Sequence, residues 1–586
     1  MKYNYIIIGG GVAGVTAAEV LSRNNDSCSI AIISPFEIIK IASLVSQASD
    51  HLLNFNVKES KSSELTEKYK NIDFIKTSVT GIHAKEQYLM TENGQYYYDK
   101  LLIATGGSPK FPFKSQYICG LRDIDSLHYL NDQLQTSKRV ILYGNGGVAI
   151  DFINTIINID IIWIYKHDYI GHTFLDKESS LFLSPYIHKH RDLYDSLEED
   201  LYIYDTYTST NNINQANIYS FDNKDNNKDN NKDDKDNNKD DNKDNNKDNK
   251  DNNKDNNKDN NKGNNKDDNK DNNMNSSGPG LGPNWHRAFN QQFQQSSEHL
   301  NNSIIREECS QIKAYKEKDM QWYTVEGLLY TKEIYIPEED LYKDKDKKEL
   351  WNLYILLNNN KIYGCDFMLS AIGIHPNLSF LKSPLSVSTA IYPYSNNGEL
   401  IVDEHLQVQG IKNIYAAGDV CEVHFSVPAI LSRPKVWFQM KLWSQAILEG
   451  KEAALNMMTN EDLLEKGLCF DLFAHSTYIF GFKVILLGLY NGQNLPLSIR
   501  QQVETIPVGI IHDEENNLDV EIIRREIQGK DMVKLVLLND RVIGAVLLGE
   551  TGLEEAIENL ILNQLYIGHI KYIMLQPNFN LDDYFD

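Results

Sequence analysis

Two stretches of the chain share one pattern: an apolar run, a cluster of glycines and then small apolar residues at helical spacing. The first is YNYIIIGGGVAGVTAAEVLSR at residues 3–23, and the second is KRVILYGNGGVAIDFINTI at residues 138–156. An unbroken apolar run that ends in glycines is typical of a strand buried in a parallel sheet. The pattern therefore predicts two separate βαβ units of the Rossmann type.

The pattern changes after about residue 462. The stretches KVILLGLY, MVKLVLLND and RVIGAVLLG predict strands, and GLEEAIENLILNQ predicts an amphipathic helix. These elements indicate a smaller α+β domain at residues 462–586. The predicted fold class is α/β, with two Rossmann-like dinucleotide-binding domains and a C-terminal α+β domain.

A low-complexity segment at about residues 210–275 interrupts this pattern. It repeats DNNKDNNKD and has so few apolar residues that it cannot bury enough surface to offset the loss of chain entropy. We predict that it is disordered. A tolerated surface insertion is the simplest interpretation. A nuclear signal or an acidic tail for a partner is the alternative, although the alternating charges include no basic block.

Composition and charge exclude several classes of protein. The chain has 586 residues, 41% of them hydrophobic, which supports two or more domains with substantial cores. The net charge of -24 argues against direct binding of nucleic acid. Six scattered cysteines without a CxxC pair predict no metal site and fit a reducing compartment. We expect no signal peptide and no membrane span, because the apolar residues near Met1 form the first strand and no apolar run reaches about 18 residues.

The first glycine cluster, Gly9-x-Gly11-x-x-Gly14, matches the dinucleotide-binding fingerprint. The first glycine permits a tight turn, the second lets the backbone approach a pyrophosphate, and the third lets the helix pack closely on the strand. The pyrophosphate would lie at the helix N-terminus beside Val12 and Ala13, where unpaired N–H groups and the helix dipole favour negative charge.

The second glycine cluster repeats this arrangement. Gly144 and Gly146 occupy the first two positions, Gly147 follows, and Ala149 stands at the packing position, where the fingerprint allows alanine. The cluster therefore predicts a second dinucleotide site.

Neither site has the acidic residue that usually holds a ribose at the end of the second strand. In the first site the strand SIAIIS ends at Ser34, so either Ser34 with the backbone or Glu37 holds the ribose, and we favour Ser34. In the second site IIWIYKHD carries Lys166. A cation there favours a 2′-phosphate, hence NADPH, without excluding NADH. The alternative is that Lys166 is a solvated charge at the strand end.

Three further stretches surround the second glycine cluster: LLIATGGSP at residues 101–109, CDFMLSAIGIHPN at residues 365–377 and IYAAGDVCE at residues 414–422. Together with the two clusters, their order resembles the flavoproteins of the pyridine nucleotide-disulfide oxidoreductase family. The resemblance covers about the first 450 residues. It implies that the first site binds FAD and that the second site binds NAD(P).

The same resemblance implies domain boundaries and roles for single residues. An FAD-binding domain at residues 1–137 and 386–461 would hold an inserted NAD(P)-binding domain at residues 138–385. Asp419, after Gly418, would accept a hydrogen bond from the ribityl chain of FAD. The other implied contact positions are Ala104, Thr105 and Gly106 for FAD, and Gly373 for NAD(P).

The disulfide reductases of this family carry a CxxxxC pair on the helix after the second strand of the FAD domain, and a C-terminal His-x-x-x-x-Glu pair. The corresponding stretch here, FEIIKIASLVSQASD at residues 36–50, has no cysteine, and the chain ends in LDDYFD. Thiol–disulfide exchange needs an attacking thiolate and a resolving partner. We therefore expect no active-site disulfide.

Other groups are candidates to act at the flavin. Lys40 would place a cation near the ring and is the candidate catalytic residue; alternatively, it is a solvated surface charge. Cys421 is either a small buried hydrophobe or a redox group. Trp437 and Gln439 lie in a predicted helix, KVWFQMKLWSQAILEG, whose N-terminus would point to the flavin ring. The alternative is that the tryptophan belongs to the core.

These features predict an FAD-dependent oxidoreductase that accepts hydride from NAD(P)H and passes electrons to O₂, a quinone or a protein. The alternative is a regulatory protein that binds flavin and NAD(P)H and turns over slowly. A closer resemblance within the family, carried by GPNWH and LDDYFD, implies a role in oxidative-stress defence. It also implies a location in the cytosol and nucleus, and protection of the tRNA ligase complex as a partner.

Overall fold

A computed structural model describes residues 1–47, 49, 51–156, 158–187, 303–381, 393–425, 434–458, 470–513 and 518–576. The Asp/Asn/Lys-rich repeat, the GPNWH and LDDYFD motifs and Cys469 lie outside the described residues. The predictions made on them stay predictions. All described residues belong to one compact unit.

The first nucleotide-binding domain is built on a sheet whose central strands are parallel. Its strands are β1 (Lys2–Ile8), β2 (Ile30–Ser34), β5 (Ile72–Lys76), β6 (Val79–His83), β7 (Tyr88–Thr91), β8 (Gly94–Ile103) and β23 (Ile414–Ala416). They lie in the order β5-β2-β1-β8-β7-β6, and β23 also pairs with β8. The helices α1 (Val12–Asn24) and α7 (Trp443–Met458) belong to the same domain. Because β23 and α7 come late in the chain, the second domain is inserted within the first, which confirms the predicted fold class.

A hairpin replaces the helix that the resemblance implied at residues 36–50. The other elements of this domain are β3 (Ile38–Gln47), β4 (Leu53–Lys61), α2 (Ser62–Lys68), β22 (Leu400–Val402) and β24 (Cys421–Val423). Strands β3 and β4 pair antiparallel along their length. The β-branched residues of IIKIASLVS fit a pleated surface, and Ile39 and Val57 are fully buried. Local preference and packing therefore both favour a strand where disulfide reductases have a helix.

The second nucleotide-binding domain has a parallel sheet in the order β10-β20-β11-β12-β13. Its elements are β10 (Ile118–Cys119), α3 (Ile124–Thr136), β11 (Arg139–Tyr143), α4 (Gly147–Thr155), β12 (Asp160–Ile164), α5 (Lys177–Leu183), β13 (Ile304–Glu307) and β20 (Phe367–Ser370). Helix α3 begins at a capping box between Asp123 and Ser126 and buries Leu127 and Leu130 in the core of this domain. By packing, the domain therefore begins near residue 117 rather than at residue 138.

An antiparallel extension and a pair of crossing strands complete this region. The extension contains β14 (Ile312–Glu317), β15 (Tyr323–Thr324), β18 (Leu353–Leu357) and β19 (Ile362–Cys365). The short elements are a 3₁₀ turn (Ser184–Tyr186), α6 (Glu338–Leu341), β16 (Tyr342–Asp344) and β17 (Glu349–Leu350). The crossing strands β9 (Gly107–Pro109) and β21 (Ile374–Pro376) pair antiparallel where the chain leaves and re-enters the first domain.

The C-terminal domain is an antiparallel sheet with helices beside it. Its elements are β25 (Ala474–Ile479), β26 (Phe482–Gly488), α8 (Leu497–Val503), β27 (Gly509–Asp513), β28 (Leu518–Ile527), β29 (Asp531–Leu538), β30 (Arg541–Leu548) and α9 (Glu554–Asn563). The strand order is β25-β26-β30-β29-β28-β27, and the predicted strands and helix are among these elements. Within the described ranges, no helix is both long and apolar enough to cross a bilayer.

The second nucleotide-binding domain and the C-terminal domain share a core and a buried ion pair. The rings of Phe182 and Tyr186 lie 5.2 and 4.8 Å from that of Phe482, centre to centre. Lys534 Nζ lies 3.1 Å from a carboxylate oxygen of Asp176, and the two side chains are only 2% and 1% exposed. This contact anchors the second domain to the C-terminal domain.

Candidate active site between the two nucleotide-binding domains

The first glycine turn has the geometry of a pyrophosphate cradle. Gly9 has φ +114°, and a Cβ there would lie 2.3 Å from the carbonyl oxygen of Ala104. A Cβ on Gly14 would lie 2.3 Å from the oxygen of Gly9, so α1 could not approach β1 with a larger residue at this position. Gly11 precedes α1 and no side chain caps the helix. The N–H groups at Val12 and Ala13 therefore have no competing side-chain acceptor in front of them.

The second glycine turn repeats this geometry. Gly144 has φ +137°, and a Cβ there would lie 2.1 Å from the carbonyl oxygen of Ala371. Gly146 precedes α4 without a side-chain cap, and Ala149 is fully buried at the packing position. The ring of Phe174 would contact a Cβ on Gly147 at 3.2 Å, so this side of the turn is narrow.

The two sites open toward one junction, the place where the crossing strands β9 and β21 connect the two nucleotide-binding domains. The backbone segment that contacts the first glycine turn leads within a few residues into β9, and the segment that contacts the second turn leads into β21. Asn377 Nδ2 donates to the oxygen of Thr105 at 3.0 Å, and the Thr105 hydroxyl donates to the oxygen of Asn377 at 2.8 Å. Gly106 and Gly373 have positive φ, and a side chain at either would meet nothing within 4 Å. These two glycines therefore lie beside open space at the junction.

The ends of the second strands differ between the two sites. Ser34 is buried at the end of β2, and its hydroxyl accepts a hydrogen bond from Phe36 N at 3.3 Å. Glu37 instead forms an exposed ion pair with Lys76 at 3.4 Å, which favours Ser34 over Glu37 as the ribose contact. Thr77 donates its backbone N–H to the oxygen of Ser34. Its buried hydroxyl has no hydrogen-bond partner among the described residues.

In the second site, Lys166 is exposed two residues beyond the end of β12. His167 and His172 stack beside it with ring centres 3.6 Å apart. Burial, together with the neighbouring His172 and Lys166, lowers the pKa of His167 to about 4. His167 is therefore neutral near pH 7, and Lys166 provides the positive charge at this strand end.

Lys40 lies at the junction rather than on the open surface. Its ammonium donates to the carbonyl oxygen of Arg122 at 2.9 Å, lies 3.5 Å from Glu59 and sits over the ring of Trp443 at 5.1 Å. Its side chain is 17% exposed. Burial lowers the pKa of Lys40, although Glu59 opposes this effect. Its backbone N–H donates to the oxygen of Gly10, which places Lys40 beside the first glycine turn.

Asp419 faces the same junction. Burial raises the pKa of its carboxyl group, and the positive charges of Lys441 and Lys40 oppose that rise. Gly418 has φ +79°, and a Cβ there would contact Ala13 on α1 at 3.4 Å. The turn that carries Asp419 is therefore pressed against the N-terminal end of α1, next to the pyrophosphate cradle.

The predicted helix around Trp437 and Gln439 is wrong in its first part, because α7 begins only at Trp443. The side-chain amide of Gln445 accepts a hydrogen bond from Met440 N at 2.6 Å and donates one to the backbone oxygen of Phe438 at 2.9 Å. These bonds hold the preceding segment outside the helix. Trp437 is 3% exposed and packs edge-on against two phenylalanine rings, so it belongs to the core.

Cys421 is fully buried, and burial raises the pKa of its thiol well above the usual value. It therefore has the environment of a small hydrophobe rather than of a reactive thiolate. The cysteines that the structure describes are all unpaired: Cys28, Cys119, Cys309, Cys365 and Cys421.

Sequence reasoning missed several residues of this site. Glu449 is buried on α7 and accepts a hydrogen bond from Gly418 N at 2.7 Å, and Lys441 lies next to it. Nothing in the sequence distinguishes such a buried charge from the solvated charges of an amphipathic helix. Asn377 ends the AIGIHPN stretch, and Thr77 follows β5 at the carboxyl edge of the parallel sheet, where nucleotide contacts concentrate. Their positions could have signalled a role.

The site fits both nucleotides. The two uncapped helix N-termini suit pyrophosphates. The hydroxyl of Ser444, in the first turn of α7, is buried and has no partner in the described part of the chain, so it is available to a bound group. FAD fits at the first turn with Asp419 beside it, and NAD(P) fits at the second.

Comparison with known proteins agrees with this geometry. The sequence model of the pyridine nucleotide-disulphide oxidoreductase family matches residues 3–191 and 336–450. The chain therefore belongs to this family, whose members use FAD with NAD(P)H.

Within the family, the chain is similar over its whole length to proteins named pyridine nucleotide-disulfide oxidoreductase domain-containing protein 1. It is 33% identical to the one from Dictyostelium discoideum, with 99% of each chain covered. It is 30% identical to the one from Homo sapiens, with 99% of this chain and 98% of the relative covered.

Solved structures share the fold at low identity. A covalent putidaredoxin reductase–putidaredoxin complex aligns with a TM-score of 0.54 and 14% identity, covering 99% of this chain and 97% of the other. A water-forming NADH oxidase from Lactobacillus brevis aligns with a TM-score of 0.53 and 13% identity, covering 99% and 95%. These likenesses support the fold alone.

Proposed function

We propose that this protein is an FAD-dependent oxidoreductase that oxidises NAD(P)H and delivers the electrons to an acceptor other than an active-site disulfide. The observation that carries the proposal is the junction of the crossing strands, toward which both glycine turns open. FAD, when bound, accepts a hydride from NAD(P)H and passes its electrons to the second substrate.

The chain's own residues would bind and orient the two nucleotides. The uncapped N-termini of α1 and α4 would hold the pyrophosphates, and Asp419 would accept a hydrogen bond from the ribityl chain. The crossing strands, tied by Thr105 and Asn377, would set the angle between the two domains. Positioning of this kind is the main contribution that a protein makes to cofactor chemistry.

Lys40 would tune the charge at the junction. Its ammonium is held from three sides by Arg122, Glu59 and Trp443, so it is pre-oriented. A positioned cation stabilises negative charge that develops during reduction without needing to reorganise. The hairpin that carries it has no thiol to relay electrons onward.

The test is anaerobic stopped-flow reduction of the bound flavin by NADPH and by NADH, followed by mixing with O₂, a quinone or glutathione disulfide. We expect fast bleaching of the flavin, and reoxidation by O₂ or the quinone but not by the disulfide. Lys40→Met should slow reduction at least about tenfold, equivalent to about 1.4 kcal/mol. Lys58→Met is the matched control, because Lys58 lies on the same hairpin with an exposed side chain.

The rate at which the reduced flavin is reoxidised distinguishes the oxidoreductase from the alternative, a slow regulatory protein. A flavin that is reduced but then stays reduced for minutes with every acceptor would favour the slow regulatory protein. A protein that carries no flavin would contradict both.

We also propose a role in oxidative-stress defence in the cytosol and nucleus, with protection of the tRNA ligase complex. Co-purification of that complex with the tagged protein, with and without NADPH, would test the partner.

A further inference from the structure

A buried carboxylate lies directly behind the turn that carries Asp419. Glu449, on α7, is 1% exposed. One of its oxygens accepts the N–H of Gly418 at 2.7 Å, and the other accepts the side-chain N–H of Gln439 at 3.0 Å. The proposed function assigns no role to Glu449, yet one of its two bonds restrains the residue next to Asp419.

The surroundings of Glu449 require two acceptor oxygens. Gln439 cannot turn its amide over, because its oxygen already accepts a hydrogen bond from Val423 N at 3.1 Å. Among the described residues, the hydrogen-bonding atoms around the carboxylate are these two N–H donors and the Cys421 sulfur at 3.9 Å. A proton on either oxygen would therefore lack a good acceptor, and one of the two bonds would weaken.

The charges around Glu449 can be named element by element. The turn after β23 contributes Asp419, and β24 contributes the Cys421 thiol. The segment before α7 contributes Lys441, which also pairs with Glu399 at 3.1 Å. Helix α1 crosses α7 at close range, where a Cβ on Gly450 would lie 2.3 Å from the backbone oxygen of Ala13. The charged residues of α1, Glu19 and Arg23, lie six and ten residues further along the helix and pair with each other at 3.5 Å. Burial raises the pKa of Glu449 to about 7, although the Gly418 N–H and Lys441 oppose the rise.

We propose that Glu449 is a positioning residue that holds the Gly418–Asp419 turn against FAD, and that its protonation between pH 8 and pH 6 weakens FAD binding. The inference rests on the proposed placement of FAD beside Asp419. If FAD binding lowers the pKa of this carboxyl group by about one unit, linkage limits the change in affinity across this pH range to about tenfold.

The test measures FAD release from the purified holoprotein. Release after dilution is followed by the rise of flavin fluorescence at pH 6, 7 and 8. We expect the wild type to release FAD about five to ten times faster at pH 6 than at pH 8. Glu449→Gln offers only one acceptor oxygen and does not titrate. It should release FAD fast at every pH, within about twofold.

Glu452→Gln is the matched control. Glu452 lies on the same helix and is also buried, but it accepts a hydrogen bond from Asn456 rather than from the Gly418 turn. This variant should keep the pH dependence of the wild type. A merely structural role for Glu449 would speed release in Glu449→Gln without removing the pH dependence.

Several outcomes would overturn the inference. One is a wild-type release rate that does not change between pH 6 and pH 8. Another is a Glu449→Gln variant that keeps the full pH dependence, which would assign the titration to Asp419. If that variant does not retain FAD, ¹³C-labelled glutamate in the wild-type holoprotein decides. A glutamate carboxyl that titrates in parallel with release supports the inference, and no such glutamate contradicts it. A wild-type protein without FAD at any pH would instead contradict the proposed function.

Discussion

The buried ion pair between Asp176 and Lys534 gives a quantitative prediction about stability. We predict that Lys534→Met lowers the free energy of unfolding by about 3–5 kcal/mol, through the interface between the second nucleotide-binding domain and the C-terminal domain. The reason is that Asp176 would stay buried at 1% exposure without its cation, while the oxygen of Val503 would lose the hydrogen bond that Lys534 donates at 3.1 Å.

The residual contacts of Asp176 set the magnitude within that range. Its carboxylate still accepts hydrogen bonds from the backbone of Glu178 and from the backbone and hydroxyl of Ser179, at 2.8–3.0 Å. These hydrogen bonds still stabilise the carboxylate after its ion-pair partner is removed, so we expect a destabilisation near the lower end of the range, about 3 kcal/mol. A loss of this size should lower the unfolding midpoint by about 6 °C for two joined domains of this size. The double variant Asp176→Asn/Lys534→Met should recover part of it, because no buried charge is left unpaired.

The pH dependence gives a second signature. In the wild type, burial pushes the pKa of Asp176 up, but Lys534 and the Ser179 hydrogen bonds outweigh it and hold the pKa below its usual range. Its contribution to stability is therefore constant between pH 5 and pH 8 and is lost only in stronger acid. Without Lys534 the burial effect remains and the pKa rises. Stability then falls as pH rises through the new value, so the defect should be smaller at pH 5 than at pH 8.

The assay is thermal unfolding followed by differential scanning fluorimetry at both pH values. Lys530→Met is the control, because Lys530 is an exposed lysine just before the same strand. The reasoning would be refuted by a Lys534→Met midpoint within about 2 °C of the wild type. An equal defect at pH 5 and pH 8 would refute the electrostatic explanation alone.

Three further predictions concern the site. Asp419→Ala should lose FAD, because a ribityl hydroxyl loses a charged acceptor that contributes about 1.5–3 kcal/mol. The control Glu422→Gln, a change at a nearby residue, should keep FAD. Full FAD occupancy in Asp419→Ala, measured by absorbance, would contradict the placement of FAD beside Asp419. Lys166→Ala should weaken NADPH binding up to about fivefold and leave NADH unchanged, because an exposed charge pair contributes about 1 kcal/mol or less; equal effects on both nucleotides would make Lys166 a solvated strand-end charge. Replacing all six cysteines with serine or alanine should leave reduction of the flavin by NAD(P)H intact. Disulfide turnover that is robust in the wild type and lost in one cysteine variant would restore the dithiol mechanism.

Local rules made the glycine turns predictable. A glycine is required where a strand turns sharply into a helix against a neighbouring strand end. Gly9 and Gly144 occupy such positions, and the structure has both at positive φ with no room for a Cβ. The apolar runs before them form buried parallel strands for the same local reason. The three predicted C-terminal strands were also within reach, because their periodicity and β-branched content depend on neighbours in sequence.

Two elements differ from the prediction because of specific hydrogen-bonded contacts that residue patterns do not reveal. The stretch at residues 36–50 resembles the position of a redox helix, yet pairing with residues 53–61 makes it a strand. The segment before Trp443 has helical periodicity, yet hydrogen bonds from the side chain of Gln445 to its backbone keep it outside the helix. In both cases hydrogen bonds to neighbouring segments decided the local structure, because propensities differ by only about 1 kcal/mol per residue.

The sequence by itself determined that this chain binds two dinucleotides and lacks the cysteine pair of the disulfide reductases, because both statements depend on residue types at fixed short spacings. Only the tertiary structure decided which charges are buried. Lys40, Glu449 and Lys534 look like ordinary surface charges in the sequence, and each acquires its role from partners between 10 and 403 residues away (449 − 439 for Glu449 with Gln439, 443 − 40 for Lys40 with Trp443). The electrostatic effect of a charge depends on its desolvation and its partners, and neither is a local property of the chain.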